Sequence, residues 1–185
     1  IRFLCSSGYT LVYDYIFQQW STFSNHTGLS ATIWGNNYVY TTGTSILQET
    51  SGYYLDVSTA IAPVIQMSWL SMATIQGYER VIRLGMLGDF ASGSTTGHGV
   101  QVEIAYDFSS TFSTAVPFYF ETAYSANGPF QYRERLPRQK CDTLSIRITE
   151  ITTGDSAEYI DFTNMSFEVG VKRGINKLGV KQSVG

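Results

Sequence analysis

Charge is scarce in this sequence: Lys, Arg, Asp and Glu make up 15% of its 185 residues, against about 25% in ordinary soluble domains. A surface with so few charges is expected to be covered in part by something else. Histidine and cysteine are scarcer still, at two each, and no zinc-type cluster, P-loop or nucleophile elbow is present. The sequence therefore predicts no catalytic residue, no metal ligand and no cofactor. No run approaches the roughly 20 unbroken apolar residues of a membrane span, and no signal-peptide pattern opens the chain. Ile1 already sits in a strand-like run, so the chain is expected to be a fragment of a longer polypeptide or a processed one. Cys5 and Cys141 lie far apart; they read either as a long-range disulfide or as two buried small hydrophobes.

What is abundant is apolar and aromatic material, 43% and 15% of the residues. That composition excludes intrinsic disorder and points to an all-β chain with one large domain or a medium domain plus part of another. In residues 1–60, "YTLVYDY" and "QQWSTF" are β-branched and aromatic runs. "ATIW", "YVYTT" and "ILQET" follow, joined by Gly/Asn and Gly/Thr/Ser turns. This spacing predicts an antiparallel meander that resembles a β-propeller blade; a terminal hairpin sheet packed on the second domain fits equally well. Residues 56–66 read as a linker or an edge strand.

Residues 61–185 are expected to form an antiparallel β-sandwich with a mobile C-terminal tail. Val100, Val102, Ile104 and Tyr106 share one face of a period-two strand, as Leu144, Ile146 and Ile148 do of another. Phe167, Val169 and Val171 are a third inward set. "VPFYFETA" and "QYRERLP" read as a hairpin turned by Asn127-Gly128-Pro129. No helical stripe is evident.

His26 and His98 both sit in polar, turn-like contexts, and "GSTTGHGV" around His98 reads as a flexible surface turn. Asp155, Glu158 and Asp161 are a candidate glycosidase set, but a short polar segment begun by glycine reads better as a solvated loop. "GDFASG" lacks the Lys and the helix of a phosphate cradle. Two surfaces remain. Exposed aromatics, Trp20 and Trp34 first among them, are possible glycan-stacking residues, although large rings also fill cores and interfaces. Positive charge gathers late: nine basic residues against seven acidic after residue 130 give +2, while residues 1–130 carry three against eight, or −5. Arg133, Arg135, Arg138, Lys140, Lys172, Arg173, Lys177 and Lys181 are the predicted interaction residues. An acidic patch on a neighbouring subunit fits them better than nucleic acid does, since +2 is a weak electrostatic footprint. An ordinary charged edge strand is the plainer alternative for Arg133 and Arg135.

"RQKCDTLSIRITE" and "SFEVGVKRGINKLG" resemble the C-terminal part of phage tail and DNA-stabilisation proteins of short-tailed phages. The early "LVYDYIFQQWSTF", with Tyr13, Asp14 and Trp20, is similar to a propeller strand. The resemblance implies a virion structural protein of the tail hub or nozzle, assembled in the host cytoplasm and without catalytic residues. It further implies a homo-oligomeric ring at the DNA exit channel, with other virion proteins as partners and non-specific contact with packaged DNA. The chain departs from that picture in having too few strands for a complete propeller. A receptor- or glycan-binding sandwich module is the alternative function.

Overall fold

The structure, a computed structural model, describes residues 1–5, 8–24, 26, 28–52, 55–56, 59–71, 79–93, 97–114, 117–138 and 140–170. Its regular structure is nearly all antiparallel strand, and the chain divides into two compact units, Ile1–Tyr53 and Tyr54–Gly185. Among the described residues no helix is long and apolar enough to cross a membrane.

The first unit is two three-stranded meanders. Strands β1 (Arg2–Leu4), β2 (Tyr9–Asp14) and β3 (Gln19–Ser24) form one; β4 (Ser30–Trp34), β5 (Asn37–Thr41) and β6 (Ile46–Gln48) form the other. Local chemistry sets the turns. Asp14 Oδ1 accepts the amides of Ile16 and Phe17 at 2.8 and 3.1 Å, which folds the β2–β3 loop back on itself. Gly35 and Asn36 both have positive φ, 55° and 66°, the requirement of the two-residue turn that matches strand twist between β4 and β5. The buried part of this unit is small. Thr10 and Tyr40 are inside, and the His26 ring lies 4.0 Å from that of Tyr40 with its Nδ1 2.7 Å from Thr10 Oγ1. Arg2 grips Glu49 through both guanidinium nitrogens, holding the two meanders together at their ends.

The second unit opens with a short hairpin, β7 (Leu55–Asp56) and β8 (Thr59–Ala60). Strand β9 (Val64–Gln66) is then an edge strand on β16 (Leu144–Ile151), so residues 56–66 are more than a linker. One sheet runs from β9 through β16 to β11 (Gly99–Tyr106), with β12 (Ser113–Thr114) and β13 (Phe118–Tyr119) on the far side. The other is centred on β10 (Glu79–Ala91), flanked by β17 (Tyr159–Gly170) on one side and by β14 (Gly128–Arg135) and β15 (Lys140–Cys141) on the other. Both sheets send apolar side chains into one cluster, with Leu84, Met86, Val102, Ile104, Ile146 and Ile148 nearly or fully inaccessible. The expected inward sets of β11 and β16 lie in that cluster or pack against it. In β17, Phe167 packs against the cluster and Val169 is half-buried, while Val171 lies outside the described residues.

Two bulges keep the long strands in phase. In β10 the inward residues are Val81 and then Leu84, Met86 and Phe90; the period-two rhythm breaks where the register against β17 shifts. In β17 it breaks between Phe162 and Met165, opposite Leu87 and Gly88. One extra residue at each point returns the next apolar side chain to the core face. At Gly88 the sheet comes too close for a side chain, since a Cβ there would collide with the Asp161 carbonyl and the Phe130 ring.

The expected hairpin around "YSANGPF" does not form. Phe118 and Tyr119 pair with β11, α1 (Phe120–Ala123) makes one helical turn, and β14 pairs with β10 in the other sheet. Phe120, fully buried and stacked on Phe90 at 4.3 Å, fixes that crossing. Asn127 spends its amide on a distant partner, donating to Ser92 O and accepting Ser92 N–H at 3.3 and 3.0 Å. Cys5 and Cys141 are free thiols, and burial pushes the Cys141 thiol up from its ordinary pKa.

Candidate functional site

The structure scatters the predicted basic residues. Arg133 and Arg135 project from the outer side of β14, because Phe130 and Tyr132, with which they alternate, are buried. Arg138, after the strand, turns to Asp107 instead, with Nη2 2.6 Å from Oδ2 and the guanidinium 5.6 Å from the Tyr106 ring centre. Lys140 pairs through its backbone with Arg80. Lys172, Arg173, Lys177 and Lys181 lie outside the described residues. One basic residue that the sequence did not single out belongs with the first two: Arg83, on β10, lies directly opposite Arg135 and gives a hydrogen bond to Glu168 at 2.8 Å. Composition does not reveal that neighbour, because strands 50 residues apart in sequence meet only in the folded sheet.

The two tryptophans are both exposed, Trp20 at 61% and Trp34 at 75%. Trp20 lies in a three-ring patch, 4.8 Å from Tyr13 and 6.0 Å from Phe3 between ring centres. Trp34 stands at the start of the β4–β5 turn. Their exposure is shared by much of the first unit. Every residue of β3 and of β4 is exposed, so these strands lack the alternation that a buried face imposes.

His98 corrects the reading of its surroundings as a surface turn. Its side chain is wholly buried at the head of β11, and both ring nitrogens are engaged: Nδ1 lies 3.1 Å from Ser92 Oγ and Nε2 2.9 Å from Glu150 Oε1. The His98 amide donates to Glu121 Oε1 at 3.0 Å. Toward an ionised Glu150 the ring donates from Nε2, and Ser92 Oγ completes the contact at Nδ1. The serine–histidine–carboxylate order is that of a nucleophile system. Its setting argues for a different role. The ring is sealed from solvent, and the Ser92 amide, a natural oxyanion donor, is occupied by Asn127. What the network does is tie the end of β10 and the end of β16 to one imidazole, and α1 to the backbone of the same residue at the start of β11.

Glu158 lies close by and is also buried, at 3% exposure. Burial pushes its carboxyl up, but the Thr153 hydroxyl and amide, the Thr152 hydroxyl and the nearby His98 outweigh that and hold its pKa below 4.5. So "GDSAEYIDF" is only partly the solvated loop the sequence suggested. Asp155 caps the turn through the Ala157 amide and Asp161 is exposed on β17, while Glu158 is inside. The three carboxylates have three different jobs. Beside the network, Gly97, Tyr119, Glu121, Thr122, Ile151 and Thr153 line a shallow open depression of about 640 Å³. Among the described residues no three His, Cys, Asp or Glu side chains are placed to hold a metal ion.

His26 likewise belongs to packing, inside the seam of the first unit. Comparison with protein-family models, with curated proteins and with solved structures found no match. Two surfaces stand out: the exposed apolar side chains of residues 1–53 and the charged outer face of the β14–β10–β17 sheet.

Proposed function

We propose that this chain is a structural component that works by assembly, its surfaces closing against neighbouring subunits. One observation carries the reading. Within residues 1–53, where Arg2, Asp14 and Glu49 are the only charged side chains, large apolar residues stand exposed along nearly every strand. An exposed apolar area without gatekeeping charge is the signature of a surface made to be covered. The finer architecture that suits this role is a β-sandwich for the second unit and propeller-blade-like meanders for the first. The resemblance of "RQKCDTLSIRITE" and "SFEVGVKRGINKLG" to short-tailed-phage tail proteins supplies the setting. It is a ring in the virion tail hub or nozzle, at the DNA exit channel, with other virion proteins as neighbours and basic residues in non-specific contact with packaged DNA. The mechanism is mechanical and non-enzymatic: rigid sheets present complementary faces, and closure of the ring makes the channel.

Light scattering coupled to size-exclusion chromatography tests this directly. Wild type is expected as an oligomer whose proportion rises with concentration, and Trp34→Ser with Ile33→Ser is expected to lower it. A monomer at every concentration, alone and with neighbouring virion proteins, overturns the reading. A second reading, a glycan-binding module, has the Phe3–Tyr13–Trp20 patch in its favour, because stacked, exposed rings suit a sugar face. Glycan-array binding that disappears with Trp20→Ala and Trp34→Ala would establish it.

A further inference from the structure

Hydrogen bonds between β1 and β2 determine which backbone groups β3 leaves free. Ile1 and Tyr13 exchange both backbone bonds at 2.8 Å, and the Cys5 amide donates to Tyr9 O at 2.9 Å. Tyr9, Leu11 and Tyr13 therefore turn their backbone groups toward β1, since direction alternates along a strand. Thr10, Val12 and Asp14 turn toward β3, where they lie opposite Phe23, Ser21 and Gln19. Trp20, Thr22 and Ser24 are left with N–H and C=O directed away from the sheet. Among the described residues no strand pairs with that edge.

Nothing in β3 blunts this edge. Its six residues carry no charge and no proline, all are exposed, and the register against β2 runs without a bulge. Natural edge strands are ordinarily protected by one of those devices. The other edges of the first unit offer less. Strands β1 and β6 have three residues each. In the second meander Glu49 N–H donates to Tyr38 O and Thr42 N–H to Ser45 O, so by the same alternation β4 directs only Ala31 and Ile33 outward.

We propose that β3 pairs antiparallel with β3 of a second copy of the chain, about a two-fold axis perpendicular to the sheet and level with Thr22. In that register Thr22 lies opposite Thr22 of the second copy, and each Trp20 opposite a Ser24. All three outward residues then exchange both backbone bonds with a partner. A slip of two residues either way, the least that keeps the faces matched, leaves only two such rungs. The side chains agree on both faces. Threonine across from threonine is a favourable pair, Trp20 meets a serine, and on the other face Phe23 meets Ser21. The product is a six-stranded sheet edged by the short β1 strands, so pairing closes at two copies. The proposal rests on the assembly reading above and assigns one of its contacts to this edge.

Amide exchange of the full chain, followed residue by residue by NMR, tests it alongside sedimentation equilibrium. The Ser21 and Phe23 amides, bonded within the sheet, are expected to be protected at every concentration. Those of Trp20, Thr22 and Ser24 should gain protection only as concentration rises. Thr22→Lys and Thr22→Glu alter one exposed side chain and set like charges across the axis. Each is expected to weaken dimerisation about fivefold or more, and a one-to-one mixture of the two to restore it. Thr22→Pro removes an N–H that makes no bond within the sheet. It should weaken dimerisation at least about tenfold, with Ser21 and Phe23 still protected. If oligomers form while the three outward amides exchange equally at all concentrations and no Thr22 variant changes them, this edge is not the contact, although the assembly reading survives. A wild-type chain that is monomeric at every concentration sinks the edge pairing. It sinks the assembly reading too if the chain stays monomeric beside neighbouring virion proteins.

Discussion

Among the described residues, Ile1–Tyr53 leaves thirteen large apolar side chains exposed, and the much longer second unit leaves six. Both regions are antiparallel and rich in the same residue types, so composition does not explain the contrast. The number of layers does. Each meander of the first unit has three short strands and shares only a narrow seam around Thr10, His26 and Tyr40. An isolated sheet of that size cannot cover its own faces. The second unit has two sheets that share one buried cluster; accordingly β14 alternates buried with exposed or half-buried residues, and β11 alternates buried and half-buried ones over Val100–Ile104. One region finds its core within itself; the other leaves most of its large apolar side chains exposed.

The sharpest way to break this contrast is to cut into the core. Leu84→Ala or Ile146→Ala should cost about 3–4 kcal/mol each. Hydrogen exchange should then rise across β10, β11 and β16, with little change in residues 1–53. Equal loosening of both regions would mean that they unfold as one. Removing the buried imidazole comes next. His98→Ala strands the Glu150 carboxylate and is expected to cost roughly 3 kcal/mol, most visibly as exchange at the head of β11 and the end of β16.

Glu158 gives a smaller and pH-dependent effect. Its folded pKa is depressed, so it binds fewer protons folded than unfolded, and the stability it adds is present above 4.5 and lost as pH falls through the folded value. Glu158→Gln should therefore cost about 1–2 kcal/mol near neutrality and should flatten the loss of stability on acidification, as denaturant melts across that range would record. The least costly change belongs to the first unit. Trp34→Ser, despite removing one of the two largest side chains there, should leave stability within about 0.5 kcal/mol of wild type. A large loss would show that this ring is already part of a core.

Much of the fold was legible because strands carry their own pattern. Val100, Val102 and Ile104 alternate with polar residues, and that rhythm needs only one buried face to be meaningful. The His98 network was not legible. "GSTTGHG" looks like any polar turn, and what buries it is Phe120, Glu121 and Glu150 arriving from elsewhere in the chain. Arg83 escaped notice for the same reason, its strand-neighbours being 52 residues away at Arg135 and 85 away at Glu168.

By itself, then, the sequence determined that this chain is made of strands, where many of them turn, and which sides of β11 and β16 face inward. Those are properties of neighbours along the backbone, written in a period of two and in residues such as Asp14, Gly35 and Asn36 that permit particular turns. Only the tertiary structure decided that β14 joins β10 instead of folding back on Phe118–Tyr119, that His98 is interior, and that Arg83 and Arg135 meet across two strands. Strand pairing is chosen by contacts between distant segments, and one residue of slip or one bulge changes which side chains share a face.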